Sequence, residues 1–199
     1  MNNKSKDNSK DQILEAAMKV FVRSGYAQTR MEDIAEVAGL SKGAIYHYYG
    51  SKKDLFISLI DHWEIFSFPD FYSKNNKTEL ASNTLKRFAD VVYDAFCEKP
   101  HIFLAEIEFW ALANRDRDIK DRTQKLYLKI LALFEKVLLK GINSGEFKNL
   151  NPRMAAIAVM TSLQGVNWFC IFEHHEFSAR EYLNEVMEFM IQGFKVKSI

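Results

Sequence analysis

The chain has 199 residues, 48% hydrophobic and 27% charged, with a formal net charge of +1. That composition excludes a disordered chain, and a charge so near zero argues against a protein that coats nucleic acid, though not against one that places a few cations well. With 3 Pro and 8 Gly there is little to interrupt long helices, and the fold class is read as all-α with about nine of them.

Residues 1–10 are polar, carry Lys4, Lys6 and Lys10, lack the apolar core of a secretory signal, and read as a flexible arm. Ile13, Leu14, Ala17, Met18 and Phe21 then recur at helical spacing as far as Ser24-Gly25. A short helix follows, opened by Thr29 and Glu32 at capping-box spacing and ended by a turn at Gly39. Ser41 caps a second short helix over 42–48, Gly50 breaks it, and Ser51 with Asp54 starts a longer one to about Phe66. Beyond Pro69 and the polar run 73–77, helices are expected at about 78–97, 101–113, 117–143, 152–173 and 178–196. Asn151-Pro152 supplies a cap and a first-turn proline, and Ser178 with Glu181 repeats the capping-box spacing. Cys97 and Cys170 lie in apolar segments without ligand spacing and read as small buried hydrophobes in a reducing cytoplasm.

Residues 154–172 contain no charge and have the length of a membrane span. Thr161, Ser162, Gln164 and Asn167 interrupt the run and no basic flank supports insertion, so the reading is a helix buried between its own domain and a partner subunit. With the stripe Tyr182, Leu183, Val186, Met187, Met190 and Phe194, it suggests a four-helix interface in a homodimer. The residues expected there are Ala158, Ser162, Gly165, Phe169, Leu183, Val186, Met187, Met190 and Phe194, with Ser162 and Gly165 allowing close approach.

The decisive stretch is 29–55, TRMEDIAEVAGLSKGAIYHYYGSKKDL, which reads as helix, glycine turn, short helix and a capped further helix. A helix-turn-helix places its second helix in the DNA major groove with the N-terminal residues at the base edges. Here those residues are Ser41, Lys42, Gly43 and Ala44: a cap or phosphate donor, a flexible cation, and a glycine where backbone would approach DNA. Tyr46, His47 and Tyr48 add polar tips, and Lys52 lies at a helix start that already favours an anion.

Over 13–56 these residues resemble the TetR family of bacterial transcriptional regulators: I-L-x-A-A, F-x-x-x-G-Y, T-x-x-x-x-I-A-x-x-A-G-x-S-K-G-x-I-Y-x-Y and S-K-x-x-L-F. The resemblance implies a homodimer on a palindromic double-stranded operator, with a C-terminal effector-binding and dimerisation domain. It implies Thr29 and Arg30 at the phosphate-facing start of the second helix, Lys42, Gly43 and Ala44 facing bases, and Tyr46, His47 and Lys52 on phosphate. Two residues depart from the family pattern: Arg30 replaces a small hydroxyl residue, and Tyr49 replaces phenylalanine. The segments 108–113 and 140–147 also look like family patterns.

The domain reading is therefore an arm over 1–10, a reader over 11–56 with its motif at about 31–50, and a body over 57–199. A ligand pocket in the body would draw on Trp63, Phe66, Phe88, Phe103, Trp110, Tyr127 and Trp168, although core packing is the ordinary role of any one of them. A small, largely apolar effector bound there would shift the helix over 51–66 and so change reader separation. No catalytic constellation appears, so the chain is not read as an enzyme, and no cofactor is expected. His174-His175 face different sides of a helix and read as a solvated end rather than a metal site. The function expected is a cytoplasmic, nucleoid-associated repressor; the alternative is a helical scaffold that keeps the motif without binding DNA.

Overall fold

The computed structural model describes residues 3–67, 79–172 and 176–196, with side chains from Ser9 to Trp63 in the first of these segments. In order, the helices are α1 (Asn3–Gln28), α2 (Met31–Ala38), α3 (Lys42–Tyr48), α4 (Lys52–Ser67) and α5 (Ala81–Glu98). They continue with α6 (His101–Ala113), α7 (Arg117–Asn143), α8 (Pro152–Gln164), α9 (Asn167–Ile171) and α10 (Ala179–Phe194). The described residues contain no strand; Phe147 and Lys195 form one isolated bridge. Helix α1 starts at Asn3, inside the segment expected as an arm, because neither Gly nor Pro stops it there.

The chain forms two compact units, Met1–Ser67 with His101–Leu126, and Phe68–Pro100 with Tyr127–Ile199. In the first, α1 through α4 pack around Ile13, Phe21, Ile34, Ile45, Phe56 and Leu59, all essentially excluded from water. Phe21 meets Phe56 edge-on at 5.2 Å, Phe56 meets Phe109 of α6 at 5.5 Å, and the Trp63 indole donates to the Ile102 carbonyl at 2.8 Å. Helix α6 is therefore part of the same core as the reader helices. Ion pairs tie α4 to the segment that opens α7: Lys53 to Asp116 and Asp118 at 2.9 and 2.6 Å, and Arg122 to Asp61 at 2.7 Å.

In the second unit, the 140–147 pattern turns out to be a packing device. The Phe147 ring occupies the place a Cβ at Gly141 would take, and Gly145 turns the chain at φ 77°. The Glu146 carboxylate accepts from the Ala81 and Ser82 N–H groups at 2.7 and 3.0 Å, capping α5 where Leu80 cannot.

The helix expected over 152–173 is divided into α8 and α9. The Tyr182 hydroxyl donates to the Ser162 carbonyl at 2.7 Å, and a Cβ at Gly165 would collide with that hydroxyl. Val166 N–H then bonds to Leu163 O instead, tightening the ladder locally. Pro152–Ile171 is long and apolar enough by composition to cross a membrane, with mean hydropathy 1.4. Its inner face, Ala156, Val159, Met160 and Leu163, is nevertheless buried in the protein, where α8 packs on α10.

Candidate nucleic-acid interface

The turn between α2 and α3 is built by two local devices. Gly39 ends α2 in the left-handed region (φ 63°, ψ 30°), and the Gly39 and Leu40 N–H groups return to the Glu36 and Ala35 carbonyls at 3.1 and 2.9 Å. Ser41 then caps α3, accepting from the Ala44 N–H at 3.2 Å. From α1, Gln12 Nε2 donates to the Ala38 carbonyl at 2.6 Å and fixes the end of α2. Helix α3 buries Ile45 and leaves Lys42, Gly43, Tyr46 and His47 exposed, with Ala44 and Tyr48 half-buried. A Cβ at Gly43 would meet only Ser41 Oγ at 3.9 Å, and its φ is not positive, so the fold itself does not require glycine there.

Three expected contacts change when their partners are traced. Thr29 is only 2% exposed, and its hydroxyl donates to the Gly25 carbonyl at 2.8 Å, so it stabilises the α1–α2 corner rather than facing phosphate. The N-terminal box of α2 is shifted by one residue: the Arg30 N–H donates to the Asp33 carboxylate at 2.8 Å, in place of the Thr29–Glu32 pairing. The Arg30 side chain is exposed. Lys52 turns inward. Its ammonium donates to the Tyr26 and Thr29 carbonyls at 2.7 and 2.8 Å and to Ala27 at 3.3 Å, and stands 4.6 Å from the Tyr26 ring centroid. These carbonyls lie at and just beyond the end of α1, where the intrahelical ladder leaves acceptors without partners. Burial holds the Lys52 pKa below its ordinary value.

The Lys42 ammonium is paired with Glu32 of α2 and lies 5.7 Å from the Tyr46 ring centroid. Sequence reasoning missed Glu32 because it assigned that carboxylate to the cap. Tyr49 is 7% exposed, and burial, with Asp11 nearby, raises its phenol pKa. The substitution of Tyr for Phe therefore leaves the packing position in place and adds a hydroxyl near charge. An open groove of about 590 Å³ beside it is lined by Lys10, Asp54, Ser58, Asp61 and His62, among others.

Among the expected pocket residues, Trp63, Phe88 and Phe103 are buried in the cores of their units, Phe88 packing edge-on against Phe134 at 5.2 Å. Trp110, Tyr127 and Trp168 are exposed, and Trp168 stacks on Phe172 with centroids 5.7 Å apart. The side chain of Phe66, like His174 and His175, lies outside the described residues. Of the expected interface residues, Leu183 and Met187 are buried within their own unit, and Ser162 and Gly165 serve Tyr182. Ala158, Phe169, Val186, Met190 and Phe194 are half-buried, and the most exposed large apolar side chain beside them is Phe189, at 81%. Among the described residues, no group of three or more His, Cys, Asp or Glu is placed to hold a metal ion.

Residues 13–59 match the family model described as bacterial regulatory proteins of the tetR family, and residues 70–196, more than half of the chain, match the QacR-like C-terminal region. The chain is 23% identical over 187 residues to the fatty acid metabolism regulator protein of Bacillus subtilis, covering 94% of this chain and 95% of that one. The structure of the Bacillus subtilis regulator FadR in complex with stearoyl-CoA superposes with a TM-score of 0.75 at 22% identity, covering 92% and 98% of the two chains. A transcriptional regulator from Saccharomonospora viridis in complex with choline superposes at 0.83 with 17% identity, covering 96% and 100%.

Proposed function

The chain belongs to the TetR family and is a DNA-binding transcriptional regulator, and from that premise we propose a repressor that occupies a palindromic operator as a homodimer. The observation that carries this reading is α3: Ser41 caps it, Ile45 anchors it, and Lys42, Gly43, Tyr46 and His47 share its exposed side. Arg30 and His47 are proposed on phosphate; Lys42, Gly43 and Ala44 on base edges; Tyr46 on either. The reader is assigned to 11–56 and the effector-binding and dimerisation functions to 57–199. The place of action is the cytoplasm, at the nucleoid, and the protein acts by binding rather than by catalysis.

In the dimer the outward faces of α8 and α10 pair, with Phe189, Val186, Met190 and Ala158 at the contact. Its two-fold axis holds two recognition helices roughly 34–36 Å apart, one turn of DNA. The effector is a small, largely apolar molecule, and the likeness to a fatty acid metabolism regulator makes fatty acyl thioesters the first class to test. The coupling runs through α4. Phe56 and Trp63 pack it on α6, and Lys53 and Asp61 bind it to the start of α7. A ligand that displaces α6 or α7 thus acts on α4 and on reader spacing, and only by binding the two spacings unequally.

A gel shift on the upstream region of the protein's own gene tests the DNA reading; no selective binding there, or to any duplex enriched from a random pool, would favour the scaffold alternative. Acyl-CoAs of graded chain length, with free CoA and choline as controls, then test the effector class. Release of operator by long acyl chains alone supports it, and release by choline alone defeats it. Reciprocity is the stricter check: operator DNA must weaken effector binding by the factor through which effector weakens operator binding.

A further inference from the structure

Because the α2 box uses Arg30 and Asp33, the Glu32 carboxylate is left on the outer surface, beside the start of α3. It pairs there with Lys42, the only Lys or Arg of α3, and Lys42 in turn lies by the Tyr46 ring. Both side chains of the pair are open to water, 49% exposed for Glu32 and 59% for Lys42. We propose that Glu32, though it lies on α2, is a specificity-determining residue: it forms with Lys42 a charge-neutral reading pair that opens only onto a matching guanine and cytosine.

The argument, which rests on the DNA-binding reading, compares what the pair meets on two kinds of DNA. On an arbitrary duplex the ammonium gains by releasing counterions from phosphate, and the adjacent carboxylate opposes the same phosphates. The pair therefore contributes little to indiscriminate binding. A matching site offers each member its own partner. The Lys42 ammonium can donate to guanine O6 and N7, and the Glu32 carboxylate can accept from a cytosine N4 amino group. An exposed ion pair is held only weakly, whereas a good base contact discriminates between bases about tenfold or more, so a matching base can separate the pair and a mismatched one cannot. The Lys42 hydrogen bond holds the Glu32 carboxyl below its ordinary pKa, keeping it ionised at neutral pH. The Tyr46 ring centroid lies 5.7 Å from the Lys42 ammonium.

The test uses the full-length protein, a duplex selected from a random pool and a scrambled duplex of equal length, with fluorescence anisotropy over a range of salt. Glu32→Gln should tighten binding to the scrambled duplex about five- to tenfold and steepen its salt dependence by about one phosphate equivalent. Affinity for the selected duplex should rise less or fall, so that the ratio between the two collapses. In a Lys42→Met background the same substitution should change the ratio less, because there the carboxylate has no ammonium to hold back from phosphate. Equal tightening on both duplexes by Glu32→Gln would make Glu32 a mere background charge and overturn the proposal. If instead the wild-type protein enriches no sequence, the DNA-binding reading itself fails; a wild type that selects well, with an unchanged ratio in Glu32→Gln, overturns this inference alone.

Discussion

The two compact units present opposite surfaces. Among the described side chains, the reader helices α1–α4 hide nearly all the large apolar ones, leaving Val37 and Tyr46 as the well-exposed ones, and even turn a lysine inward to finish the corner after α1. In the other unit α8, α9 and α10 leave Met154, Trp168, Ile171 and Phe189 in the open, from 46% to 81% exposed. A surface that is apolar inside and polar outside is complete by itself. A helix with apolar side chains on both its inner and outer sides is open to packing against a partner. The proposed dimer finishes the second surface, and it gives the first a second copy at fixed spacing.

The harshest way to test that contrast is to charge the two sides of α10 in turn. Leu183 is fully buried within its unit, so Leu183→Glu should abolish cooperative thermal unfolding of the unit outright. Phe189→Glu should leave each protomer folded by circular dichroism yet monomeric by light scattering. Burying two symmetry-related Phe side chains is worth about 3–6 kcal/mol, and operator affinity should fall with the dimer. A dimeric Phe189→Glu protein with wild-type affinity would place the interface elsewhere.

Next in size is the division of labour between two cations of the reader. Lys52→Met strips charged donors from the carbonyls around the α1–α2 corner and should cost about 1–3 kcal/mol of reader stability. The slope of affinity against salt should stay nearly unchanged, because the ammonium is already committed. Arg30→Ala should do the reverse, leaving the melt intact while lowering the salt slope by about one. A large loss of slope in Lys52→Met would return Lys52 to the phosphate contacts.

The same contrast explains what could be read from the residues alone. In the reader, Gly39, Ser41 and Gly50 punctuate so densely that α2, α3 and the start of α4 fall where the spacing predicts. What stayed hidden was partner choice. Thr29 and Glu32 have capping-box spacing, yet Arg30 and Asp33 form the box, because Thr29 is spent on Gly25. In the body, Tyr182, Leu183, Val186, Met187, Met190 and Phe194 fit one apolar stripe, and composition cannot say which edge of it faces inward, or that Phe189 beside it is the most exposed. Nor can it show that the Tyr182 hydroxyl would reach Ser162 and divide an apparently continuous helix.

A smaller and purely local effect is expected at Gly43. Since a Cβ there meets nothing tighter than 3.9 Å and the backbone is not strained, Gly43→Ala should stabilise α3 by up to about 1 kcal/mol in thermal melts. Operator affinity should drop severalfold all the same, because the added methyl group points to where DNA would lie. Improved stability with undiminished affinity would remove Gly43 from the contact surface.

The smallest expected effect is one of pH, and it lies where α1 meets α4. His62 is 3.8 Å from the Asp11 carboxylate, beside the groove that Lys10, Tyr49, Asp54 and Asp61 also line. Burial lowers the His62 pKa from its ordinary 6.5, and Asp11 acts in the opposite direction. With the folded value below the unfolded one, the unfolded chain binds more protons over the interval between them, so stability is fully present above 6.5 and declines as pH falls through the folded value. The imidazole is only half-buried, and water screening should keep the change under about 1 kcal/mol. Thermal melts between pH 7.5 and about 5 should show this decline, and His62→Gln should flatten it. Asp11→Asn should steepen it instead, because it removes the carboxylate that raises the imidazole pKa and leaves burial unopposed. If Asp11→Asn flattened the profile, the ion pair rather than burial would govern His62, and the sign of the effect would be reversed.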